Sequence, residues 1–319
     1  MTKPTLCVTQ ILPDEVMEAL RQRFRLIAEP TTRSPTREEL EEMLSRADAV
    51  LCTLADQIDK PLLAEAPNLK VIANYAVGFN NIEMDAARER GIVVTNTPDV
   101  LTDATADLTW ALLLATARRV VESDTWLRTG EWSGWSPTQM LGADVTGKVL
   151  GIVGLGRIGQ AVARRAAGFR MPVLYTAKRP CLASTESSDW AHVPLAALLE
   201  QADFVSIHVP LTDATRHLIG APEFAMMKPT SILINTSRGA VVDEEMLVSV
   251  LQTRRIAGAG LDVYEREPIL TAGLTELPNV VLLPHLGSAT LNTRVQMGMI
   301  CLDNILAVFQ GKPVPNRVV

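Results

Sequence analysis

The amino-acid sequence of 319 residues has few cysteines, no long apolar run and no excess of positive charge. Its four cysteines are scattered, without a Cys-x-x-Cys pair or a histidine at metal-ligand spacing, so we predict free buried thiols, no metal site and a reducing compartment. The longest apolar runs, such as Ala111–Ala115, are far shorter than the roughly 20 residues that a membrane span needs. Thirty basic against 36 acidic residues, without a basic tract, argue against a nucleic-acid partner.

The amino terminus also lacks the apolar stretch, about 7–15 residues long, that marks a secretory signal peptide. The composition, with 47% hydrophobic and 21% charged residues, is typical of a globular protein. The length exceeds what one hydrophobic core usually supports. We therefore predict a soluble, cytoplasmic protein with two domains and no membrane contact.

Short apolar or β-branched runs alternate with amphipathic stretches along the sequence. One such stretch is Arg37–Ser45, where Thr36 and Glu39 predict a capping box at the start of a helix. This strand–helix alternation predicts an α/β fold with doubly wound parallel sheets. The predicted strands are Leu6–Thr9, Val50–Thr53, Lys70–Asn74, Ile92–Thr95, Val149–Val153, Val173–Thr176, Phe204–Val209, Ile232–Asn235, Gly260–Val263 and Val280–Leu283.

Two boundaries divide this alternation. The first lies near residue 100, where Pro98 ends a strand and a long helix is predicted from about Thr102 to Arg119. The second lies near His285, after which one helical pattern, Ala289–Phe309, closes the chain. If this last helix returns to the first domain, that domain is discontinuous in sequence.

A Gly-x-Gly-x-x-Gly loop is the most specific local motif. It follows an apolar strand directly and precedes an Ala-rich helix, which is the context that a dinucleotide site requires. Gly154 allows a tight turn, Gly156 lets the backbone approach a pyrophosphate at the helix amino terminus, and Gly159 allows close helix–strand packing. A strand–helix turn without a ligand is the alternative. The predicted cofactor contacts in this loop are Gly154, Leu155, Gly156, Arg157, Ile158 and Gly159.

The end of the next predicted strand indicates which dinucleotide is preferred. A site selective for NAD carries an acidic residue about 20 positions beyond the glycines, to accept the ribose hydroxyls. That position holds Ala177, followed by Lys178 and Arg179, whose cations suit a 2′-phosphate. Ordinary solvated surface cations are the alternative. We predict NADPH/NADP as the cofactor, with NADH possible at lower affinity.

Three polar residues, Arg238, Glu267 and His285, follow predicted strands of the second half. The carboxyl ends of strands in an open α/β sheet face the ligand crevice. An arginine there offers a planar fork to a carboxylate, and a histidine beside a carboxylate can transfer the proton of a carbinol. Taken singly, a structural histidine, a solvated cation and a surface acid are the alternatives. Together with a nicotinamide, the three indicate reduction of a 2-keto acid.

Six motifs carry a resemblance to a known family, and they occur in its order over nearly the whole chain. The chain resembles the D-isomer-specific 2-hydroxyacid dehydrogenases. This resemblance implies two Rossmann-like domains, with a substrate (catalytic) domain over 1–100 and 287–319, a NAD(P)-binding domain over 101–286, and assembly as a homodimer. The motifs are Val77–Ile82, Gly91–Pro98, the glycine loop, Asn235–Gly239, Ala259–Val263 and Leu283–Ser288.

The resemblance also implies roles for individual residues. Arg238 corresponds to the arginine that binds the substrate carboxylate, His285 to the acid/base and Glu267 to its partner. The backbone at Val77 and Gly78 corresponds to the cradle of that carboxylate. Other residues that the resemblance assigns are Ser288 and Trp135 for the substrate, and Thr105, Val209, Pro210, Thr215, Thr236, Ser237, Asp262 and Gly287, with Arg238 and His285, for the cofactor.

Within the family, Asn96–Asp107 and the tryptophan-rich arm described below are most similar to the glyoxylate/hydroxypyruvate reductase branch, whose members commonly prefer NADPH. The implied activity is NADPH-dependent reduction of small 2-keto acids, with His285 as acid/base. Trp110 departs from the family pattern, since that helix position often holds a small or aliphatic residue.

Two alternatives to this activity stay open. The chain could act on a bulkier 2-keto acid or on phosphite, as a different member of the same family. It could instead be a dinucleotide-sensing corepressor, but the intact set of Arg238, Glu267 and His285 disfavours a sensor, which has no need of proton-transfer groups.

An arm without helical or strand periodicity, Trp126–Met140, contains three of the five tryptophans, at positions 126, 132 and 135. Indoles in such a segment form an exposed apolar patch, and such patches usually mark an interface. Packing of the arm on its own coenzyme domain is the alternative. In the resembling reductases this arm crosses to the partner subunit, which implies a homodimer in which Trp135 limits the neighbouring substrate site to small 2-keto acids.

Overall fold

A computed structural model describes residues 3–178 and 190–319 of the protein, and these residues form two compact units. The first unit, Met1–Leu101 with Ser288–Val319, contains a five-stranded sheet, and the second, Thr102–Gly287, contains a seven-stranded sheet. All strand pairs in both sheets are parallel. The predicted α/β fold with doubly wound parallel sheets is confirmed.

The first unit has ten helices and strands within its described residues. Its strands are β1 Thr5–Val8, β2 Arg25–Leu26, β3 Ala49–Cys52, β4 Val71–Asn74 and β5 Val93–Thr95, and its helices are α1 Asp14–Arg23, α2 Arg37–Ser45, α3 Lys60–Ala64, α4 Met84–Glu89 and α11 Leu291–Phe309. The strand order is β2-β1-β3-β4-β5, so the direction of winding reverses between β1 and β3. The predictions omitted β2 because two residues carry no periodicity.

The second unit is built in the same way on a larger sheet. Its strands are β6 Leu150–Val153, β7 Val173–Thr176, β8 Trp190–His192, β9 Phe204–Ile207, β10 Ile232–Asn235, β11 Gly258–Leu261 and β12 Val280–Leu282. Its α-helices are α5 Thr102–Ala117, α6 Val120–Arg128, α7 Arg157–Ala166, α8 Leu195–Gln201, α9 Ala221–Met226 and α10 Glu244–Gln252. The order β12-β11-β10-β9-β6-β7-β8 reverses between β6 and β9, where ligands of such folds bind.

Local chemistry explains where the helices begin and end. Helix α2 has the predicted capping box, in which the Thr36 hydroxyl accepts the Glu39 N–H and the Glu39 carboxylate accepts the Thr36 N–H. Helix α5 ends two residues before the predicted Arg119, because Arg119 has a left-handed backbone with φ of 53°. Helix α11 begins at Leu291 rather than Ala289, because the Thr290 hydroxyl caps it by accepting the Thr293 N–H.

The sequence prediction for the arm is wrong at its start. Trp126 lies in helix α6 and is half-buried, whereas Trp132 and Trp135 lie in irregular backbone after the helix and are exposed. Helix α6 has no fully buried residue, which explains why its apolar pattern is weak. The irregular arm therefore starts after Arg128.

The described residues bear on two of the predicted absences. Cys7, Cys52 and Cys301 are free and buried, and burial raises the pKa of Cys7 to about 12, while Cys181 lies outside the described residues. Over residues 3–178 and 190–319, no helix is both long and apolar enough to cross a membrane. In the same residues there is no cluster of three or more His, Cys, Asp or Glu that could hold a metal ion.

Candidate active site

Three neighbouring strands of the second unit are followed by polar residues at one edge of the sheet. Arg238 lies three residues after β10, Asp262 directly follows β11, and His285 lies three residues after β12. The strands β10, β11 and β12 are adjacent and parallel, so their carboxyl ends share that edge. Several predicted strands were too long at this end. The strand given as Gly260–Val263 ends at Leu261, so Asp262 belongs to the loop.

His285 and Glu267 form a hydrogen-bonded ion pair, with His285 Nδ1 2.8 Å from Glu267 Oε2. About a third of each side chain is exposed, 33% and 36%. Among the described residues, the other ring nitrogen of His285, Nε2, has no hydrogen-bond partner. Partial burial opposes ionisation of Glu267, but the hydrogen bond from His285, the charges of His285 and Arg238, and the Tyr264 N–H outweigh it. The pKa of Glu267 therefore lies below its ordinary value.

Asp262 fixes the backbone that directly follows His285. Its Oδ1 accepts the N–H of Leu286 at 2.6 Å, and its Oδ2 accepts the N–H of Gly287 at 2.8 Å. Burial raises the pKa of Asp262, against these two hydrogen bonds and the His285 charge. His285 itself has a left-handed backbone, with φ of 57°, which is uncommon for a residue with a side chain. The anchored turn after it holds this conformation.

Arg238 lies in a loop that cannot shift far. The Asn235 side-chain amide donates to the Arg238 carbonyl at 2.9 Å, and Arg238 Nη1 donates to the Ser237 carbonyl at 2.7 Å. The next residue, Gly239, lies so close to Tyr264 that a Cβ there would be 1.8 Å from its carbonyl carbon. Burial lowers the pKa of Arg238, Glu267 opposes the shift, and the guanidinium stays charged at any physiological pH.

The glycine loop has the geometry of a dinucleotide turn. Gly154 has a φ of 99°, and a Cβ there would lie 2.7 Å from a methyl group of Val209. A Cβ at Gly159 would lie 2.2 Å from the Gly154 carbonyl oxygen, so the helix α7 packs closely on the loop. Gly156 differs, because a Cβ there meets no atom within 4 Å. Of the residues between the glycines, Leu155 is buried, and Ile158 is half-buried.

The other predicted cofactor residues of the second unit form two groups. Thr215 pins the loop after β9, because its hydroxyl donates to the Pro210 carbonyl at 2.6 Å. Near the start of helix α5, Thr105 Oγ1 donates to the Gly287 carbonyl at 3.0 Å. The remaining contacts of this second group are Thr109 Oγ1 with Thr236 Oγ1 at 2.9 Å and the Ser237 hydroxyl with Asn235 Oδ1 at 2.9 Å.

The residues predicted to select the cofactor follow β7. Thr176, the last residue of β7, accepts the Gly154 N–H at 2.9 Å, so this strand end lies beside the glycine loop. Ala177 is half-buried and Lys178 is exposed. Arg157, on the first turn of α7, is also exposed. Arg179 lies outside the described residues.

In the first unit, Val77 and Gly78 lie in a turn whose carbonyls are held by two asparagines. Asn96 Nδ2 donates to the Val77 carbonyl at 2.8 Å, and Asn74 Nδ2 donates to the Gly78 carbonyl at 2.7 Å. Among the residues that the structure describes, the N–H groups of Val77 and Gly78 have no hydrogen-bond partner. Two adjacent free N–H groups are suited to an anion. The predicted site residues did not include Asn74 or Asn96, although Asn96 lies within the motif Gly91–Pro98 and Asn74 lies three residues before Val77.

Ser288 begins the carboxy-terminal part of the first unit. Its carbonyl accepts a hydrogen bond from the Nε–H of Arg294 at 3.2 Å. The guanidinium carbon of Arg294 lies over the Tyr75 ring, 6.0 Å from the ring centroid. Tyr75 in turn donates its hydroxyl hydrogen to the Arg294 carbonyl. Ser288 is thereby connected to the segment that precedes Val77.

The other histidines have different surroundings. Burial lowers the pKa of His208 to about 3, so its ring is neutral and shares a hydrogen bond of 2.8 Å with Ser206. His217 forms a second histidine–carboxylate pair in the second unit, with its Nε2 2.9 Å from Glu265 Oε1. Neither lies at the strand ends that carry Arg238 and His285.

Comparison with known proteins gives matches over both units. A sequence profile described as D-isomer specific 2-hydroxyacid dehydrogenase, NAD binding domain, matches residues 110–287. The glyoxylate reductase of Thermococcus litoralis is 47% identical over 320 residues, which cover 99% of this chain and 97% of that protein.

Solved structures agree with these sequence matches. The TT0316 protein from Thermus thermophilus is 44% identical, with a TM-score of 0.93, and the match covers 99% of this chain and 100% of that one. An NADPH-dependent glyoxylate/hydroxypyruvate reductase from Sinorhizobium meliloti, solved in complex with NADP and malonate, is 34% identical, with a TM-score of 0.87. That match covers 100% of this chain and 97% of that one.

Proposed function

The chain belongs to the D-isomer specific 2-hydroxyacid dehydrogenase family, and on that premise we propose that it reduces glyoxylate and hydroxypyruvate with NADPH as the preferred reductant. Family membership makes it an NAD(P)-dependent oxidoreductase and a reductase of 2-keto acids. The observation that carries the proposed chemistry is the His285–Glu267 pair at 2.8 Å beside the charge of Arg238.

The second unit has the features that a nicotinamide dinucleotide requires. A Cβ at Gly156 would meet no atom within 4 Å, so the space beside this backbone is open to a ligand. At Gly154 and Gly159, other atoms of the protein fill the corresponding space. The first turn of α7 has no side-chain cap at Gly156, and it presents the positive end of the helix dipole to a diphosphate. Thr105 and Asp262 hold the nicotinamide side of the site. When bound, the reduced nicotinamide supplies the hydride for the keto carbon.

Binding of the 2-keto acid falls to cationic and N–H groups. Arg238 binds the carboxylate through its planar fork, and its fixed loop orients that fork. In the first unit, the N–H groups of Val77 and Gly78 are also available to a carboxylate, because Asn74 and Asn96 hold the adjoining carbonyls turned away. Binding of this kind favours 2-keto acids, in which the carboxylate adjoins the reacting carbon.

His285 is the proton donor of the reduction. Its protonated ring donates to the carbonyl oxygen through Nε2, since Nδ1 is engaged by Glu267. Glu267 keeps the ring oriented and stabilises its positive charge, the same interaction that lowers the pKa of Glu267. In the reverse direction the neutral ring accepts the proton of the 2-hydroxy acid.

The preference for NADPH rests on the residues after β7. Between Gly159 and Glu186 the sequence has no acidic residue that could bind the ribose hydroxyls or repel a 2′-phosphate. Lys178 is exposed at this strand end, and Arg179 follows it in the sequence. The reductase from Sinorhizobium meliloti, whose structure contains NADP, supports the same preference.

Steady-state kinetics with NADPH and NADH on glyoxylate, hydroxypyruvate and pyruvate test the proposal. We expect kcat/KM to be higher with NADPH, and higher for the first two keto acids than for pyruvate. Faster turnover with NADH would contradict the cofactor preference, and a pyruvate preference would contradict the substrate assignment. Lys178→Ala should lower the NADPH:NADH ratio of kcat/KM, whereas Lys148→Ala, which removes another lysine of the same unit, should leave the ratio unchanged.

A further inference from the structure

Glu244 is a buried carboxylate that the proposed mechanism does not use. It is the first residue of helix α10 and is only 2% exposed, which is rare for an acidic side chain without paired groups. Burial raises the pKa of Glu244 despite the two hydrogen bonds that its carboxylate accepts. Retaining a buried acid at this point in the fold carries a desolvation penalty, which its two hydrogen bonds offset only in part.

The two hydrogen bonds reach opposite ends of one loop. Glu244 Oε1 accepts the N–H of Glu265 at 2.6 Å, and Oε2 accepts the hydroxyl hydrogen of Thr271 at 2.7 Å. Glu267 lies between these two positions. We call residues 264–271 the Glu267 loop. One carboxylate therefore fixes both ends of the loop that carries the partner of His285.

Contacts inside the loop pass this constraint to Glu267. The N–H of Tyr264, the residue before the anchored Glu265, donates to Glu267 Oε1 at 2.9 Å. The Tyr264 hydroxyl donates to the Leu283 carbonyl at 2.9 Å, two residues before His285. The path from the Glu244 carboxylate to the His285–Glu267 pair is continuous, and each of its hydrogen bonds is 2.9 Å or shorter.

We propose that Glu244 is a positioning residue for the reaction, which holds the Glu267 loop so that the Glu267 carboxylate stays within hydrogen-bond distance of His285. The inference deepens the proposed function and rests on the roles proposed there for Glu267 and His285. The hydrogen bonds of the Glu244 carboxylate go to Glu265 and Thr271 and not to the side chain of Glu267 or His285. Glu244 therefore acts through the loop.

The charged groups around both carboxylates determine how a pH profile is interpreted. Those that act on Glu244 are Glu265 and Arg266, and those that act on Glu267 are His285 and Arg238. The charges of His285 and Glu267 both act on the pKa of Asp262, the first lowering it and the second raising it. A substitution at position 244 leaves the chemical identity of all these side chains unchanged, so a change in the profile reports the position of the Glu267 loop.

The test is the pH dependence of kcat/KM for reduction in Glu244→Ala. Without its anchor the Glu267 carboxylate moves away from His285, and the protonated ring loses its stabilising charge. The alkaline limb of the profile should move to lower pH by roughly one unit, the size expected when an opposite charge leaves the vicinity. The KM for NADPH should not change.

Two further variants show whether the shift arises from the loss of the hydrogen bonds of Glu244 or only from the loss of a negative charge on helix α10. Glu244→Gln should restore the wild-type limb, because its amide oxygen can accept the Glu265 N–H while its amide hydrogen bonds to Thr271 Oγ1. Glu245→Ala, which removes the adjacent acid on the same helix, should also leave the limb unchanged. Within the part of the chain that the structure describes, the only ion pair of Glu245, with Arg266 of the loop, is 3.7 Å long and exposed on both sides, so it contributes little to holding the loop. A limb shifted by Glu245→Ala as much as by Glu244→Ala would overturn the inference.

A lower melting temperature in Glu244→Ala with an unmoved limb would also overturn it and make Glu244 a structural residue only. If Glu244→Ala does not fold, Thr271→Val removes one of the two anchors, and its limb should shift in the same direction by less. An unmoved limb in that variant contradicts the inference.

The double variant Glu244→Ala/Glu267→Gln shows whether the effect passes through Glu267. We expect no shift beyond that of Glu267→Gln alone, because two substitutions on one path are not additive. A further shift would mean that Glu244 acts on His285 by another route and would overturn the inference. If Glu267→Gln alone leaves the limb unmoved, the proton-transfer step of the proposed function fails as well.

Discussion

Two histidine–glutamate pairs of nearly equal length lie in the second unit, and the proposed function assigns proton transfer to only one. His285 is 2.8 Å from Glu267, and His217 is 2.9 Å from Glu265. We expect His285→Ala to lower kcat by a factor on the order of 10²–10⁴, as for loss of a general acid, with a much smaller change in KM. Steady-state kinetics on glyoxylate with saturating NADPH measure both constants.

His217→Ala is the matched control, because it removes the histidine of the second pair and should keep wild-type kcat. If the two variants lose turnover equally, the loss reflects damage to the unit. Near-normal turnover of His285→Ala would remove His285 from the mechanism.

Glu267→Gln tests the charge of the partner without changing its shape. The proposed reduction needs protonated His285, so we expect kcat/KM to fall at alkaline pH. The Glu267 carboxylate stabilises the protonated ring, and its loss should move this alkaline limb to lower pH. Glu265→Gln, the same change in the second pair, should not move the limb. An unmoved limb in Glu267→Gln would make Glu267 structural.

The lowered pKa of Glu267 also means that the ionised carboxylate contributes to the stability of the folded protein. A carboxylate whose folded-state pKa is lowered stabilises the protein above its unfolded pKa, and this contribution disappears as pH falls through the folded value. We expect the free energy of unfolding of the wild type to exceed that of Glu267→Gln near neutral pH. The difference should shrink in acid, which urea unfolding at several pH values below about 5 can measure. A difference independent of pH would contradict this origin.

At the scale of the element, the turn that leads into helix α7 contains a glycine at which ligand binding can be tested without disturbing the packing of the protein. Gly156 has φ of −75°, which alanine also adopts, and its Cβ position is empty of protein atoms. We expect Gly156→Ala to leave the melting temperature unchanged and to weaken NADPH binding, because the methyl group occupies the approach of the diphosphate. Fluorescence titration of NADPH and thermal melting measure the two effects.

Gly168→Ala is the matched control, since a Cβ at Gly168 also meets no atom within 4 Å and lies beyond the other end of α7. It should change neither the Kd nor the melting temperature. Unchanged NADPH affinity in Gly156→Ala would contradict the placement of the diphosphate.

Helix α5 is joined to helix α7 by the indole of Trp110, the residue that departs from the family pattern. The Trp110 Nε1–H donates to the Val162 carbonyl at 3.1 Å, and the ring stacks on Phe169 at 4.7 Å between centroids. Trp110 is 6% exposed, so Trp110→Ala should destabilise the protein by roughly 3–5 kcal/mol. Trp110→Phe keeps the stacked ring and should cost less. Urea unfolding measures the free energy of unfolding of both variants. An equal decrease in Trp110→Ala and Trp110→Phe would contradict a packing role for the ring.

At the scale of the whole molecule, helix α6 and the residues that follow it carry six exposed large apolar side chains, which we call the apolar patch. Scattered exposed apolar residues are normal, but a contiguous group usually marks an interface. We propose that a second copy of the chain covers this patch. Its members are Val120, Val121, Leu127, Trp132, Trp135 and Leu141.

Trp135 is 82% exposed, the largest value among the exposed apolar residues that the structure describes, and tryptophan is enriched at interface hot spots. We expect the protein to sediment as a homodimer, and Trp135→Ala to accept larger keto acids while using glyoxylate less well. Leu291→Ala is the control, because Leu291 is exposed outside the patch and should change neither property. A fully active monomer would contradict the assembly, and an unchanged substrate profile in a dimeric Trp135→Ala would limit the arm to a structural role.

Local pattern determined most of the fold. Periodicity and turn residues placed ten of the strands to within one or two residues, and the Thr36–Glu39 spacing identified a cap that the structure has. The two-residue strand β2 and strand β8 were missed, because so few residues carry no period. Helix α6 was missed because none of its residues is fully buried, so no apolar stripe marks it.

The sequence by itself determined the proposal for the chemistry of the site, because the glycine loop, Arg238 and His285 are recognised by residue type and by position after a strand. Tertiary structure alone decided which groups orient them. Glu244, Asn74 and Asn96 bond to backbone or side-chain groups of loops that fold beside them, and no spacing in the sequence encodes those contacts. The physical reason is that a hydrogen bond of 2.6–2.8 Å depends on where two segments meet in space, and only the packed sheets bring them there.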